Sequence, residues 1–519
     1  MKQEQSQIQP IVQAGWSGEA VRVGSEVGGV HSSHEGSWLD LWALNPETRA
    51  YLKSVRRDAA CSQAQPRREG AGDGSKEITT PQKLRNLQRA LYRKAKAEPK
   101  YRFWSLYGDI LRPDVLEYAL RVVSRHGGAP GVDGQTIAGI NASAEGRQRW
   151  LGQLQEELKN HAYRPQPVRR VKIPKSNGGQ RPLGIPTVKD RVVQMAATLV
   201  LMPIFEADFH PRSYGFRPRR NAHQAIDEII RAMRRGRREV LDADLSKYFD
   251  RVNHDILRNR IGQTIRDKGV LKLIGSYLRA GAMVEGVVVA SEEGTPQGGP
   301  LSPLPANIYL DGLDKELERR GLAFSRYADD CNIYVGSRRA AERVLAGVTE
   351  WIKEHLRLEV NADKSGVGRP WERKFLGFRV NQQGKIEAAP QSVERLKAKV
   401  REMWRSCQSL SSDKLRDRWR AYIRGWWAYY GLAEERRNIF DLEGWIRRHI
   451  RKCFWERWHS PAGRLRHLKQ LGAKGRLLQV ASSSKGTWSI ARNATLHTVL
   501  SNRILRRFGF LMPSDLAAK

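Results

Sequence analysis

Three aspartates in two short segments have the residue types and spacing that could support metal-dependent chemistry. Asp244 follows the apolar run Val240-Leu241, and Asp329 and Asp330 are adjacent between two runs rich in aromatic and aliphatic residues. Clustered carboxylates repel one another unless cations neutralise them. Hard cations such as Mg²⁺ prefer carboxylate oxygens, and two such ions ~3.5–4 Å apart support nucleotidyl transfer. The alternative is that each aspartate only caps a turn.

The segments around these aspartates predict the elements that would position them. Residues 240–250, with the sequence VLDADLSKYFD, indicate a buried strand that turns into a helix. Residues 324–335 predict a hairpin, because two β-prone runs flank a tight acidic turn. Alternation along the first strand places Asp242 on the same face as Asp244, so Asp242 is a second candidate at that position.

The charge balance predicts a polyanionic partner. The 519 residues carry 91 Lys and Arg against 55 Asp and Glu, a net charge of +36. Residues 81–519 hold the whole excess, because residues 1–80 carry 9 basic and 10 acidic side chains. Nucleic acid is the usual partner of so basic a chain, and a merely solvated basic surface is the alternative. No run of ~18 apolar residues occurs, so we expect no membrane partner.

The pattern along the chain divides it into four regions. Residues 1–79 are rich in Gly, Ser and Gln and predict a disordered leader. A helix should begin at Thr80-Pro81, with Thr80 as its cap and Pro81 in its first turn. Short strands such as Val168–Ile173 and Glu239–Asp244 alternate with helices up to about residue 380. Residues 391–519 predict helices and hold 28 basic against 10 acidic side chains.

Several motifs resemble the sequence boxes of reverse transcriptases. Tyr327-Ala328-Asp329-Asp330 matches their Y-x-D-D box, and Asp244 with Phe249 five residues later matches the D-x(4)-[FY] box of their first carboxylate strand. The further boxes follow in the order seen in the reverse transcriptase–maturases of bacterial group II introns, which the chain resembles over roughly residues 81–519. These boxes are Gly127–Gly134, Ile173–Pro186, Ser213–Pro218, Gly294–Pro303, Asn361–Ser365 and Phe375–Phe378.

This resemblance implies an α+β fold of the right-hand polymerase type, in which fingers and palm with antiparallel sheet precede an all-helical thumb and maturase domain. The expected domains are the leader at 1–79, an N-terminal extension at 80–145, fingers and palm at 146–385, and the helical RNA-binding domain at 386–519. The lay-out most resembles the C class of these proteins, which lacks an endonuclease domain. No paired C-x-x-C motif of such a nuclease is present in the sequence.

The resemblance also implies roles for individual residues. The catalytic set would be Asp244, Asp329 and Asp330, with Leu245 joining them as a ligand of two Mg²⁺ ions. The residues expected to contact the incoming dNTP are Lys175, Arg181, Phe249, Gln297 and Lys364. Phe249 could press on the sugar and select deoxyribonucleotides, or it could be a plain core aromatic. The expected primer grip is formed by Phe375, Leu376, Gly377 and Phe378, although the same four residues could form a core strand.

Two aromatic and basic stretches in the C-terminal region are typical of RNA-binding surfaces. They span residues 419–430 and 445–458. Basic side chains neutralise phosphates, and aromatic faces stack on unpaired bases. The alternative is that the aromatics are core residues, because Trp419, Tyr422, Trp426 and Tyr430 lie on one helical face. The residues expected to bind RNA are Arg424, Trp426, Arg447, Arg448, Arg451 and Lys452.

Together these features predict an RNA-directed DNA polymerase that copies intron RNA and assists splicing and mobility of a group II intron as a ribonucleoprotein. Its expected partners are the intron RNA, an RNA template with a DNA primer, target DNA and dNTPs. We expect it in the bacterial cytoplasm, associated with the nucleoid. The alternative is a domesticated, free-standing reverse transcriptase that acts in DNA repair or defence. A pure RNA-binding splicing factor is disfavoured, because it would have no use for three clustered aspartates.

Overall fold

The computed structural model describes residues 79–174, 179–246, 248–284, 287–289, 293–295, 298–405 and 410–518. The predicted disorder of residues 1–79 lies outside these ranges, apart from the exposed residue Thr79. Within the described ranges, no helix combines the length and the apolar character that a membrane span requires.

The first described helix begins close to the predicted position but is not capped as predicted. Helix α1 starts at Gln82, with Pro81 at its boundary and no side-chain hydrogen bond to its first turn. Thr80 is buried instead, and its hydroxyl lies 2.8 Å from the Tyr118 hydroxyl. Burial against Tyr118 therefore competes with capping and places Thr80 in the core. The helices up to the first strand are α1 Gln82–Ala97, α2 Tyr107–Ile110, α3 Pro113–His126, α4 Ile137–Ile140 and α5 Ala144–Lys159.

A four-stranded sheet forms the fingers. Strands β1 (Val168–Pro174) and β2 (Gln180–Ile185) form an antiparallel pair, and the Ile173–Pro186 box lies on this pair. Strands β4 (Ala282–Val284) and β5 (Val287–Val289) extend the sheet in the order β2-β1-β4-β5. Because β4 runs parallel to β1, this sheet is mixed, whereas we predicted antiparallel pairing throughout.

A second sheet forms the palm, and it carries the aspartates. Its order is β6-β7-β3-β8, and all its neighbours are antiparallel. This confirms the predicted antiparallel palm. Helices pack on this sheet and on each other to enclose the main core. The elements of this region are α6 Val188–Glu206, α7 Ala222–Arg234, β3 Glu239–Ala243, a 3₁₀ turn Tyr248–Asp250, α8 His254–Thr264, α9 Lys268–Arg279, α10 Pro303–Arg319, β6 Ala323–Tyr327, β7 Asp330–Val335, α11 Arg338–Leu356 and β8 Gly366–Gly368.

The helix α6 forms the centre of this core. It is buried around nearly its whole circumference, as expected of a helix that is apolar on every side. The Thr187 hydroxyl accepts a hydrogen bond from the Asp190 amide and so fixes where the helix begins. This helix packs mainly against the N-terminal helices α1 and α3, and it also contacts α10 of the palm.

A small hairpin joins the palm to the helical domain. It consists of β9 (Phe378–Val380) and β10 (Ile386–Ala388). The predicted domain boundary at residue 386 falls on β10, and the helices begin after it. They are α12 Pro390–Arg405, α13 Ser412–Tyr430, α14 Arg437–Phe440, α15 Glu443–Arg457, α16 Pro461–Gln470, a 3₁₀ stretch Gly475–Ser482, α17 Thr487–Ile490, α18 Ala494–Val499, α19 Asn502–Arg507 and α20 Pro513–Ala517.

A separate core holds these C-terminal helices together. Trp404, Trp419 and Trp455 are among its largest fully buried side chains, and Trp404 packs against Trp419 at 5.8 Å between ring centroids. The buried position of Trp419 agrees with the core alternative for this aromatic residue. Each tryptophan contributes a large apolar area to a domain that is otherwise rich in charge.

Candidate active site

The pairing of two palm strands brings the predicted aspartates together. Strand β3 pairs with β7 so that Asp242 is opposite Asn332 and Ala243 is opposite Cys331. One step further along this register, Asp244 lies at the level of Asp330. Since side chains alternate along a strand, Asp242 and Asp244 share one face. The structure thus places two segments that are 86 residues apart in the chain at one end of the sheet.

The Y-x-D-D box forms a two-residue turn. Tyr327 pairs with Asp330, and Ala328 and Asp329 connect them. Ala328 has φ +58°, a left-handed conformation that costs energy for any residue with a Cβ atom. Gly215 packs directly on this turn, since a Cβ at Gly215 would lie 2.3 Å from the Ala328 nitrogen. The box at Ser213–Pro218 therefore supports the aspartates, and its glycine is required by close backbone approach.

Arg326 connects this turn to helix α10 and to the Ser213–Pro218 box. This residue was not identified from the sequence. It is 1% exposed and forms a buried ion pair with Asp314 of helix α10. Its guanidinium also donates to the Ala328 carbonyl at 2.8 Å and to the Ser213 hydroxyl at 2.7 Å. Burial alone would lower the pKa of Arg326, but the Asp314 carboxylate more than offsets this and holds the pKa above its usual value. Arg326 is a positioning residue for the strained turn.

The Asn361–Ser365 box positions the other aspartate. The Asn361 amide donates to the Asp244 carbonyl at 2.8 Å, and the Ser365 hydroxyl accepts from the Asp244 amide at 2.9 Å. The Lys364 ammonium lies 3.1 Å from the Asp244 carboxylate. Lys364 was predicted to contact dNTP, and in this structure its ammonium pairs with a predicted metal ligand. Its side chain is 63% exposed, so it can move away from Asp244 without disturbing the core.

Crowding changes the ionisation of these carboxylates. Desolvation around the turn, followed by the effects of Asp329, Asp242 and Asp244, raises the pKa of Asp330 to about 7. Asp330 keeps contact with solvent, so its desolvation is partial. Burial raises the pKa of Asp242 to about 6, while Arg373 opposes the rise and Asp244 adds to it. These carboxylates resist simultaneous ionisation, which favours a cation among them.

The donor chemistry at this end of the sheet fits a hard divalent cation. The predicted ligands Asp244, Asp329 and Asp330 offer carboxylate oxygens. Cys331 lies on the opposite face of β7 and is buried, so it offers no soft ligand there. Within the described ranges, however, no three His, Cys, Asp or Glu side chains are close enough to hold one ion as they stand. The carboxylates would have to move closer together around a cation. Leu245 pairs with Val360, and its side chain is buried, so only its backbone could serve as a ligand.

The residues predicted to bind dNTP are described only in part. Phe249 is half-buried, and its ring meets the Tyr248 ring at 5.1 Å. Its carbonyl accepts a hydrogen bond from the Thr295 amide at 2.7 Å, which brings the Gly294–Pro303 box beside the first aspartate segment. The backbone of Arg181 pairs with Ile173 across the fingers hairpin. Lys175, Gln297 and the Arg181 side chain lie outside the described part of the chain.

The predicted primer grip is a tight turn rather than a row of exposed aromatics. Phe375 and Phe378 are 5% and 1% exposed, so their side chains belong to the core and cannot contact a primer as placed. Between them, Leu376 and Gly377 have φ +51° and +79°. The Tyr429 hydroxyl donates to the Leu376 carbonyl at 2.9 Å. The part of the box that is available for primer contact is therefore the turn itself, held by helix α13.

The residues predicted to bind RNA differ in their surroundings. Arg451 is 2% exposed and donates to the Leu500 carbonyl at 3.0 Å, so its assignment to an RNA-binding surface is wrong for this conformation. Its predicted role failed because a buried carbonyl competes for its donors. Arg447 pairs with Glu443, and Lys452 pairs with Glu456. Arg448 donates to the Trp488 carbonyl at 2.7 Å.

The remaining two predicted RNA-binding residues lie on helix α13. Arg424 is exposed, and Trp426 is half-buried and stacks on Tyr430 with 4.6 Å between ring centroids. Their role in binding RNA stays a prediction. Arg424 is the member of the predicted set whose side chain is most available to phosphates.

Comparison with known proteins agrees with this geometry. Residues 173–380 match the reverse transcriptase (RNA-dependent DNA polymerase) family model, and residues 393–472 match the group II intron maturase-specific domain. Protein YkfC of Escherichia coli (strain K12) is 35% identical over 327 residues, which cover 55% of this chain and 84% of YkfC. The chain belongs to the group II intron reverse transcriptase–maturase family. It is a reverse transcriptase, an RNA-directed DNA polymerase, and reverse transcriptases use divalent metal ions.

Two further similarities are more limited. The group II intron-encoded protein LtrA of Lactococcus lactis subsp. cremoris is 37% identical over 226 residues, which are 43% of this chain and 37% of LtrA. The chain thus matches little more than a third of LtrA's length. A chain of a partial Cas6-RT-Cas1–Cas2 complex is 26% identical, covers 48% of this chain and 43% of that chain, and has a TM-score of 0.31. We draw no conclusion from a score this low.

Proposed function

We propose that this reverse transcriptase copies group II intron RNA into DNA by two-metal nucleotidyl transfer and assists splicing and mobility of that intron as a ribonucleoprotein. The observation that supports this most directly is the pairing of β3 with β7, which places Asp244 beside Asp330 at the Asp329 turn. The partners would be the intron RNA, an RNA template with its DNA primer, target DNA and dNTPs.

In this proposal the three aspartates would hold two Mg²⁺ ions. When bound, the ions would neutralise charge on the attacking 3′-hydroxyl and on the leaving pyrophosphate. The Asp244 backbone is held by hydrogen bonds to Asn361 and Ser365, and Asp329 belongs to the strained turn, so both backbones are fixed before substrate arrives and only the side chains would move around a cation. Preorganised groups avoid the cost of reorienting during the reaction.

Lys364 would act in both the free and the substrate-bound enzyme. Without substrate, its ammonium neutralises Asp244 at 3.1 Å. Its exposed side chain has the freedom to leave this carboxylate and pair with the triphosphate of the incoming nucleotide. We therefore propose that the side chain of Lys364 moves from Asp244 to the substrate as the site fills.

Phe249 would select the sugar. It follows Asp244 by five residues, and its position beside Thr295 places it next to the predicted nucleotide-binding loop. A ring at this place would exclude a 2′-hydroxyl by its volume. Replacing it with alanine should relax discrimination between ribonucleotides and deoxyribonucleotides by about tenfold or more, the scale that one apolar contact supplies. Unchanged discrimination by the purified Phe249→Ala variant would return Phe249 to a core role.

The principal test is extension of a DNA primer annealed to a segment of the intron RNA. We expect the full chain to extend it with dNTPs and Mg²⁺, and expect EDTA to abolish extension. The Asp244→Asn variant should lose extension by several orders of magnitude, because a neutral side chain cannot hold the ions. Asp441→Asn is the matched control, since it removes one carboxylate charge from the exposed end of α14. Equal loss in both variants would contradict the proposed role of Asp244.

The splicing role needs its own assay. Precursor RNA that contains the intron between its exons should splice at lower Mg²⁺ with the full chain than without it. The Asp244→Asn variant should support this splicing normally, because RNA binding does not require the polymerase carboxylates. Loss of splicing in this variant would show that the carboxylates support the fold rather than the chemistry of polymerisation.

A further inference from the structure

The segment between α1 and α2 presents a tryptophan to solvent. Trp104 is 68% exposed, and the preceding residue Phe103 is 5% exposed. In an extended backbone, neighbouring side chains point to opposite sides. Phe103 is thus the anchor of the segment, and Trp104 is on the outer side. Neither of the two family models includes these residues.

This tryptophan is held on a rigid backbone. The Phe103 amide donates to the Thr264 carbonyl at 2.9 Å, and the Arg266 amide donates to the Phe103 carbonyl at 2.7 Å. The Asp267 carboxylate accepts from the Leu106 and Tyr107 amides at 2.7 and 2.8 Å. These hydrogen bonds fix the chain on both sides of Trp104. Its backbone is therefore ordered before any partner binds, which reduces the entropy cost of binding.

Four exposed basic side chains belong to the two paired segments that carry the exposed ring. Lys100 and Arg102 lie beside it in the chain, and Arg266 and Lys268 belong to the segment that pins it; all four side chains are exposed. Within the described part of the chain, none of these four has an acidic partner. The nearby Glu98 is already paired with Lys94. We call Lys100, Arg102, Trp104, Arg266 and Lys268 the Trp104 platform.

We propose that the Trp104 platform binds an unpaired stretch of RNA, with one base stacked on the Trp104 ring and the flanking phosphates paired with the four cations. Base stacking on an aromatic ring combined with phosphate neutralisation is how single strands are bound without sequence preference. The inference rests on the RNA-copying function and adds a second RNA contact outside the palm. A membrane surface would need a wider apolar patch than Trp104 and the partly exposed Tyr101 provide, so RNA fits the charge and the ring better.

The first test locates the contact. The full chain is irradiated with an oligouridylate strand, and crosslinked peptides are identified by mass spectrometry. We expect a crosslink within residues 100–105 in the unmodified chain and its loss in Trp104→Ala. Crosslinks confined to the palm and the helical domain would overturn the proposal. This assay involves no polymerisation, so its failure is separate from failure of the proposed polymerase function.

The second test measures affinity. Trp104→Ala should bind oligouridylate about tenfold more weakly, which corresponds to ~1.4 kcal/mol and lies within the range for one stacked base. Trp104→Phe should recover most of this affinity, because it keeps an aromatic face. Lys353→Ala on α11 is the control for nonspecific change at an exposed position. The melting temperature of Trp104→Ala should be unchanged, since the ring is largely outside the core.

Competing ligands complete the design. An RNA duplex of equal length should bind Trp104→Ala and the unmodified chain equally, because its bases are not available for stacking. Arg102→Gln with Arg266→Gln should flatten the salt dependence of oligouridylate binding, because fewer counterions are released. Equal losses for duplex and single strand, or a loss seen only with phosphatidylserine vesicles, would overturn the proposal.

Discussion

The palm and the C-terminal helical domain use charged residues in opposite ways. In the palm, carboxylates are concentrated at one end of the β3–β7 pair, where desolvation and then their mutual repulsion raise the pKa of Asp330. In the helical domain, several charges that looked available for RNA are engaged inside the protein, and Arg451 is buried. The difference shows that a motif with a fixed backbone geometry, such as the aspartate turn, has in the fold the position that the sequence predicts for it. A stretch defined by composition can be divided between surface and core.

The largest expected effect concerns the palm carboxylates. Asp329→Asn should reduce primer extension by several orders of magnitude, because charge stabilisation at such sites supplies several kcal/mol. Binding of intron RNA, measured by filter retention, should stay within about twofold, since one of the chain's many charges contributes little to the salt-dependent affinity. Near-normal extension by Asp329→Asn would contradict the conclusion that the palm carboxylates, unlike the charges of the helical domain, serve catalysis.

The next effect concerns the buried pair beneath the turn. Asp314→Asn should destabilise the protein by ~3–5 kcal/mol, because it leaves the Arg326 charge buried without its partner. Asp208→Asn is the matched control, since it breaks an exposed pair with Lys315 and should cost ~0–1 kcal/mol. Urea denaturation measures both. Equal stabilities would mean that Arg326 does not hold the turn as described.

A smaller effect sharpens the description of the helical domain. Arg451→Gln should lower the free energy of unfolding by ~1–3 kcal/mol, because the buried Leu500 carbonyl loses its donor. Arg424→Gln, at an exposed position on α13, should leave stability unchanged and weaken RNA binding at low salt. The reverse outcome, with Arg451 affecting only RNA affinity, would restore the original assignment of Arg451 to the RNA-binding surface.

The smallest effect tests the contact between the Leu376–Gly377 turn of the palm and helix α13 of the helical domain. Gly377→Ala and Gly384→Ala both place a Cβ at φ near +79°, which costs ~1–2 kcal/mol for an L-residue. A Cβ at Gly377 would meet the Tyr430 hydroxyl at 2.7 Å, whereas nothing lies within 4 Å of one at Gly384. Gly377→Ala should therefore impair primer extension more than its matched control. Equal extension would show that the turn can shift without cost to primer placement.

The sequence predicted the strands and the turn that carry the palm aspartates, but it did not predict the buried residues that hold this turn in place. The β3 strand and the Asp329 turn could be predicted, because alternation and turn chemistry depend on neighbouring residues. Arg326 could not, because its partner Asp314 lies on a different element and only folding brings them together. An arginine inside an apolar strand run was the available clue.

In the helical domain, composition misled for a physical reason. Arg451 lies among other basic residues, which is typical of a phosphate-binding surface, but a step of one or two residues along a helix can change a side chain from solvent-accessible to buried. For the tryptophans, unlike Arg451, the sequence left both a surface role and a core role open. Trp419 was assigned to either stacking or the core from its spacing, and packing against Trp404 decided for the core. Burial depends on which helices pair, and that information is spread over the whole domain.

The hydrogen bond from Tyr429 to the Leu376 carbonyl has a mechanical consequence. Movement of helix α13 relative to the palm would break this hydrogen bond or displace the turn that is expected to support the end of the growing DNA. Tyr430 lies against Gly377 in the same turn, so two adjacent tyrosines link helix α13 to the palm. A displacement of α13 would thus be transmitted through these two contacts to the Leu376–Gly377 turn.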